Sequence, residues 1–206
     1  MNNFTQTIAP LLLMLPICSF AAQHSEDYTT TVKVNGVELN QALSATQIEK
    51  LLGNTSQKTT KAFSECSGNY EYSSSTALGK KLMFEIYSED NPQIKSDAFY
   101  KSKNTFQQLG TTKGRVWLSW SNAPAITDTI LINNKPITNL YSINQFKKDF
   151  PNSAKTGTSV LILTASEAKE FLKNPAEFET GYRSYVDFSF KNGKLSKLEI
   201  NQGMAC

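Results

Sequence analysis

The chain of 206 residues has one histidine and three cysteines, and its first 25 residues contain no Lys, Arg, Asp or Glu. Each scarcity excludes something. The single histidine, His24, falls among the first residues after the apolar start, where chains are ordinarily disordered. A Ser-His-Asp or Cys-His catalytic arrangement therefore has no credible base. Dense basic runs are also missing: 21 Lys and Arg are scattered against 18 Asp and Glu, for a net charge of +3. This excludes the electrostatic footprint of a nucleic-acid partner and of a polybasic membrane patch. The one apolar run, Ile8 to Ala22, contains Pro10 and Pro16. It falls short of the roughly 20 residues a membrane helix needs, so no membrane span is expected.

That run reads as the h-region of a signal peptide covering residues 1–21. Ser19 and Ala21 supply the small pair of a cleavage site, and polar sequence follows from Gln23. The expected address is the periplasm. A lipoprotein anchored at Cys18 is the alternative, opposed by Pro16 and Ile17 immediately before it, where a lipobox wants small residues. Removal of Cys18 leaves Cys66 and Cys206, an even count in an oxidising compartment, and a Cys66–Cys206 disulfide is expected. It would close a loop of about 140 residues and contribute on the order of 5 kcal/mol. With those thiols paired, neither a thiol nucleophile nor a cysteine-rich metal site remains, and no metal or other cofactor is expected.

Apolar residues alternate mainly at the period of strands. In Arg115 to Ser121, Val116, Leu118 and Trp120 share one face while Arg115, Trp117 and Ser119 share the other. Tyr185 to Phe190 repeats the pattern, and Asn192-Gly193 then marks a tight hairpin into a last strand through Leu198 and Ile200. Further strands are expected at Tyr28 to Val34, Phe63 to Tyr72, Leu82 to Tyr87, Asp128 to Ile132 and Ser159 to Leu163. Helices are few and short. Ser44 caps Ala45 to Leu52, Ser142 caps Ile143 to Phe150 before Pro151, and a third spans Ser166 to Leu172 with Ser166 as its cap.

The first two caps lie 98 residues apart. Placing Val34–Gln57 over Ile132–Lys155 pairs Asn35 with Asn133, Ser44 with Ser142, Gln47 with Gln145, Lys50 with Lys148 and Asn54 with Asn152. Apolar sites match as well: Leu39 with Ile137, Ile48 with Phe146, Leu52 with Phe150. The reading is an α+β fold of antiparallel sheet with short helices on one face, built as two tandem modules, 22–122 and 123–206, with a seam at Ser121 to Thr127. A strand with an Asn-Gly turn, a capped helix ending in Leu52-Gly53 and then antiparallel strands resembles the module of SmpA/OmlA-type outer-membrane assembly lipoproteins. Doubled in tandem, it is similar to the β-lactamase-inhibitor-protein fold and to periplasmic immunity proteins built on it. The resemblance covers most of the mature chain. It implies a protein that binds other proteins.

Motifs of catalysis are scarce. Lys155-Thr156-Gly157 and Ser166-Glu167-Ala168-Lys169 echo two motifs of penicillin-binding enzymes, but in the reverse order and far too close together. Carboxylates on expected strands, Glu85, Asp187 and Glu199, are the only acid/base option, and solvated outer faces account for them. Better matched to a task are Tyr70, Tyr72, Arg115, Trp117, Tyr185 and Asp187, residue types that dominate protein interfaces, set on sheet faces. The expectation is a non-catalytic periplasmic binding protein, an inhibitor or immunity protein against an envelope-targeting toxin or hydrolase. An envelope assembly or scaffold factor bound to an outer-membrane complex is the alternative, followed by a carboxylate-based hydrolase.

Overall fold

The computed structural model describes residues 26–52, 59–65, 68–94, 96–175 and 183–204. The expected signal peptide with Cys18, the histidine, and both partners of the expected disulfide, Cys66 and Cys206, lie outside them. The strands are β1 (Tyr28–Thr29), β2 (Val32–Val34), β3 (Val37–Glu38), β4 (Leu43–Ser44), β5 (Thr60–Ser64), β6 (Asn69–Ser75) and β7 (Lys80–Glu85). They continue with β8 (Lys113–Trp120), β9 (Ile130–Ile132), β10 (Lys135–Ile137), β11 (Ser159–Ile162), β12 (Ser184–Lys191) and β13 (Lys194–Gln202). Helices are α1 (Ala45–Leu52), α2 (Asp97–Ser102), α3 (Ile143–Asp149), α4 (Ser153–Thr156) and α5 (Ala165–Lys173). The fold is α+β.

One nine-stranded sheet runs β1-β11-β12-β13-β8-β7-β6-β5, with β4 pairing beside β8, and a four-stranded sheet runs β10-β9-β2-β3. Among the described residues every strand pairing is antiparallel except β1 with β11. Three hairpins turn on residue pairs with positive φ: Asn35-Gly36 (50° and 77°), Asn133-Asn134 (50° and 60°) and Asn192-Gly193 (53° and 75°). Two consecutive left-handed residues are what a tight turn matched to strand twist requires, which is why Asn and Gly stand there.

Residues 98 apart occupy equivalent places. β2 and β9 pair as Val32 with Ile132, Lys33 with Leu131 and Val34 with Ile130, a register centred on Lys33 and Leu131. Asn35 N–H donates to Thr129 O at 2.9 Å, and Asn133 N–H donates to Thr31 O at 2.9 Å. Ser44 Oγ accepts from Gln47 N at 3.4 Å and Ser142 Oγ from Gln145 N at 3.2 Å, the two helix caps. Ser44 pairs with Lys113 on β8, and Ser142 bridges Lys194 on β13. The same strand–turn–helix unit thus flanks β8 and β13, and these two pair at the middle of the large sheet.

Alternation decides what is buried. Tyr72, Phe84, Val116, Leu118, Val160, Val186, Phe188 and Ile200 face inward, under Ile48 and Leu51 of α1 and Phe146 of α3, in one core that spans both halves. Phe146 lies 5.1 Å from Phe188 and 5.4 Å from Phe150 between ring centroids. A smaller cluster of Leu161, Leu163, Ala168 and Phe171, with Tyr28, holds α5 against the other face of the sheet at its β1–β11 end.

Three sequence expectations change. The strand from Tyr28 to Val34 is two strands in different sheets, because Thr29 Oγ1 accepts from Thr31 N and donates to Thr31 O, turning the chain between them. The strand from Phe63 to Tyr72 is a hairpin, with Gly68 at φ 68° in its turn and its N–H bonded to Ser64 O at 2.9 Å. The third helix starts earlier: Thr164, not Ser166, is the cap, in a reciprocal capping box with Glu167.

Candidate functional site

Residues directly opposite on paired strands share a face, so the register maps the side of the large sheet away from α1 and α3. One row crosses seven strands as Thr60, Ser73, Met83, Trp117, Asn201, Tyr185 and Leu161. α5 and Tyr28 cover Leu161 at its end, while Met83, Trp117 and Tyr185 are half-buried. Next to it runs Ser75, Lys81, Ser119, Glu199, Asp187 and Ser159. A shallow groove of about 410 Å³ lies along Met83, Trp117, Lys81 and Thr60.

Four of the six expected interface residues meet on this face. Trp117 and Tyr185 lie in the central row, where Tyr185 Oη accepts from Asn201 Nδ2 at 3.2 Å. Asp187 lies in the neighbouring row and accepts from Ser159 Oγ. Arg115 flanks Trp117 on the other side, with Nε donating to Asp90 at 3.3 Å and the guanidinium 5.9 Å from the Tyr87 ring. Its half-exposed head is thus held by a carboxylate and an aromatic ring.

Tyr70 and Tyr72 lie on the opposite, inner face. Tyr72 pairs with Phe84, is fully buried, and donates its hydroxyl to Lys103 O at 3.2 Å. Tyr70 stacks on Tyr100, with centroids 6.5 Å apart, and meets Phe63 edge-on. Tyr72 is a core residue, not an interface residue. Burial, followed by Tyr100 and Tyr70, raises its hydroxyl to about 12. An unfolded tyrosine ionises near pH 10, so between about pH 10 and 12 the unfolded chain releases a proton that the folded chain keeps. Stability is complete below pH 10 and falls as pH rises through that window. Tyr72→Phe should therefore cost about 1 kcal/mol at pH 7 through the lost hydrogen bond, yet narrow its deficit at pH 11. Urea denaturation at both pH values reads this, and an undiminished deficit at pH 11 contradicts it.

The three carboxylates considered for acid/base chemistry do not converge in a cleft. Asp187 and Glu199 are opposite neighbours on the open face, each engaged, Glu199 with Lys197 Nζ at 2.5 Å. Glu85 is buried, with Oε2 accepting from Tyr87 Oη at 2.9 Å. Among the described residues, no group of three or more His, Cys, Asp or Glu could hold a metal ion, and no helix is long and apolar enough to cross a membrane.

Sequence reasoning missed a buried ion pair at the top of the sheet. Lys80 Nζ lies 2.9 Å from Asp128 Oδ2, with 7% and 12% of the two side chains exposed, and also donates to Leu51 O at the end of α1. Trp120 Nε1 donates to Asp128 at 2.7 Å and Asn35 Nδ2 does so at 2.7 Å. Desolvation lowers the Lys80 ammonium below its ordinary range, and Asp128 pulls it back up. Half of the signal was available: Lys80 is in phase with Leu82 and Phe84, the buried apolar members of β7.

Comparison with known proteins returns no relative: no family model matches the chain, and no curated protein or solved structure matches it significantly.

Proposed function

We propose that this is an exported, non-catalytic protein that binds another protein through the open face of its large sheet. In this reading it acts in the periplasm as an inhibitor or immunity protein against a toxin or hydrolase that reaches the cell envelope. The observation that carries the reading is the row Met83, Trp117, Asn201 and Tyr185, which lies across four adjacent strands of one sheet with Arg115 and Asp187 beside it. A large amphipathic ring on a rigid strand offers contact area at little entropic cost, and a flanking charge adds orientation. The resemblance read in the sequence to the β-lactamase-inhibitor-protein fold belongs to the same proposal.

The test is retention of a partner from envelope extract by the immobilised protein. The wild type is expected to retain a protein encoded by a neighbouring, toxin-like or hydrolase gene. Trp117→Ala should weaken that complex by at least about thirtyfold, the equivalent of about 2 kcal/mol for a central aromatic. Leu140→Ser, on an exposed leucine of the loop before α3, should leave it unchanged. Retention that is indifferent to Trp117 would refute the open face as the binding surface.

A further inference from the structure

The Lys80–Asp128 pair does more than hold strands together: it forms part of the wall of a cleft of about 470 Å³, also bounded by Leu52, Leu78, Trp120 and Ala125. We propose that this cleft is a binding site for a neutral, mainly apolar small molecule. It is separate from the open face, because Lys80 and Trp120 belong to the inner set of the sheet and Trp117 to the outer.

The volume falls within the range of small-molecule sites, roughly 300–1,000 Å³. The chemistry of the walls selects the ligand. An anion gains nothing, because the Lys80 ammonium is already compensated by Asp128 and by Leu51 O at the carboxyl end of α1, where the helix dipole is negative. A cation gains nothing either, since Lys80 already sits 5.6 Å from the Trp120 ring centre and against Asp128, the two groups that would attract one. Trp120 has spent its only donor on Asp128, so toward a ligand it offers ring surface alone. Leu52, Leu78, Ala77 and Ala125 add apolar wall, and Thr76 and Thr127 line it with side chains that carry hydroxyls for a carbonyl or hydroxyl on the ligand. Leu78, on the β6–β7 hairpin, is 60% exposed, an apolar side chain at the cleft that gains burial when a ligand covers it.

N-phenyl-1-naphthylamine, neutral, flat and apolar, is the probe. In a Trp117→Phe chain Trp120 is the sole tryptophan, since the sequence has two, and it serves as energy donor to the bound probe. Titration should give saturable one-site binding with quenching of Trp120 emission. Leu78→Asp and Ala125→Phe should each weaken it at least about tenfold, with folding verified by thermal unfolding, while Leu140→Ser leaves it unchanged. The anionic analogue 8-anilinonaphthalene-1-sulfonate should bind at least about tenfold more weakly. Non-saturable binding, or affinity unmoved by both cleft variants, overturns the site. Equal affinity for the anionic analogue overturns its ligand class.

Discussion

Asp128→Ala is expected to destabilise the protein by about 3–5 kcal/mol, the cost of leaving a buried charge without its partner. Asp128 accepts from three side chains on three elements: Lys80 on β7, Trp120 on β8 and Asn35 in the β2–β3 turn. Removing it strands an ammonium group that water reaches only at 7% of its side chain, together with an indole and an amide donor. The pH dependence has a definite sign. Burial lowers Lys80 and Asp128 opposes that lowering, so the alanine variant lowers it further. Between that lowered position and the unfolded value near 10.4, the unfolded chain binds more protons than the folded one, and stability rises with pH. The deficit of Asp128→Ala should thus shrink as pH rises from neutral toward the unfolded value, as Lys80 becomes neutral in the folded chain. A double variant, Lys80→Met with Asp128→Ala, should recover much of the loss at pH 7, because it removes the stranded charge. Urea denaturation of the wild type and of both variants measures this. A double variant as unstable as Asp128→Ala would locate the cost in the Trp120 and Asn35 bonds instead.

What was legible in the sequence follows from how far each signal depends on neighbours. The turn at Asn192-Gly193 and the caps at Ser44 and Ser142 are local chemistry, and each sits where the residues put it. Faces were legible wherever a strand had a clear apolar phase, as in β8 and β12. β6 is the instructive failure. Its members Asn69, Glu71 and Ser73 are polar, so Tyr70 and Tyr72 are its most apolar residues and belong to the core phase. Reading them as interface residues gave weight to residue type over alternation. Lys80 shows its inward phase in β7, but its pairing with Asp128 was unreadable for a different reason. A lysine and an aspartate 48 positions apart are buried only because the hairpin at Gly79 and the seam after Trp120 bring them together. α2, six residues with adjacent Phe99 and Tyr100, is too short to show a period.

Phe146→Ala and Ile48→Ala probe whether the two halves hold together as one unit. The residues are 98 apart, both fully buried, and belong to one core cluster. Truncation should cost about 3–5 kcal/mol for the phenylalanine and about 2–5 kcal/mol for the isoleucine, the range set by how far each cavity collapses. Phe146 is ringed by Phe150, Phe188 and Phe190 at 5.1–5.8 Å, and several rigid rings around one gap collapse poorly, so its cost belongs at the upper end. The four residue pairs joining β8 to β13 bind the halves through backbone hydrogen bonds as well as through the core. Both variants should therefore lower a single transition, with tryptophan fluorescence and far-ultraviolet circular dichroism coincident in each. Trp117 and Trp120 report from β8, in the first half, while Phe146 is in the second. If the halves unfolded independently, Phe146→Ala would leave a fluorescence transition at the wild-type midpoint beside an earlier one seen only by circular dichroism. One shared, shifted midpoint is the result the continuous sheet and core require.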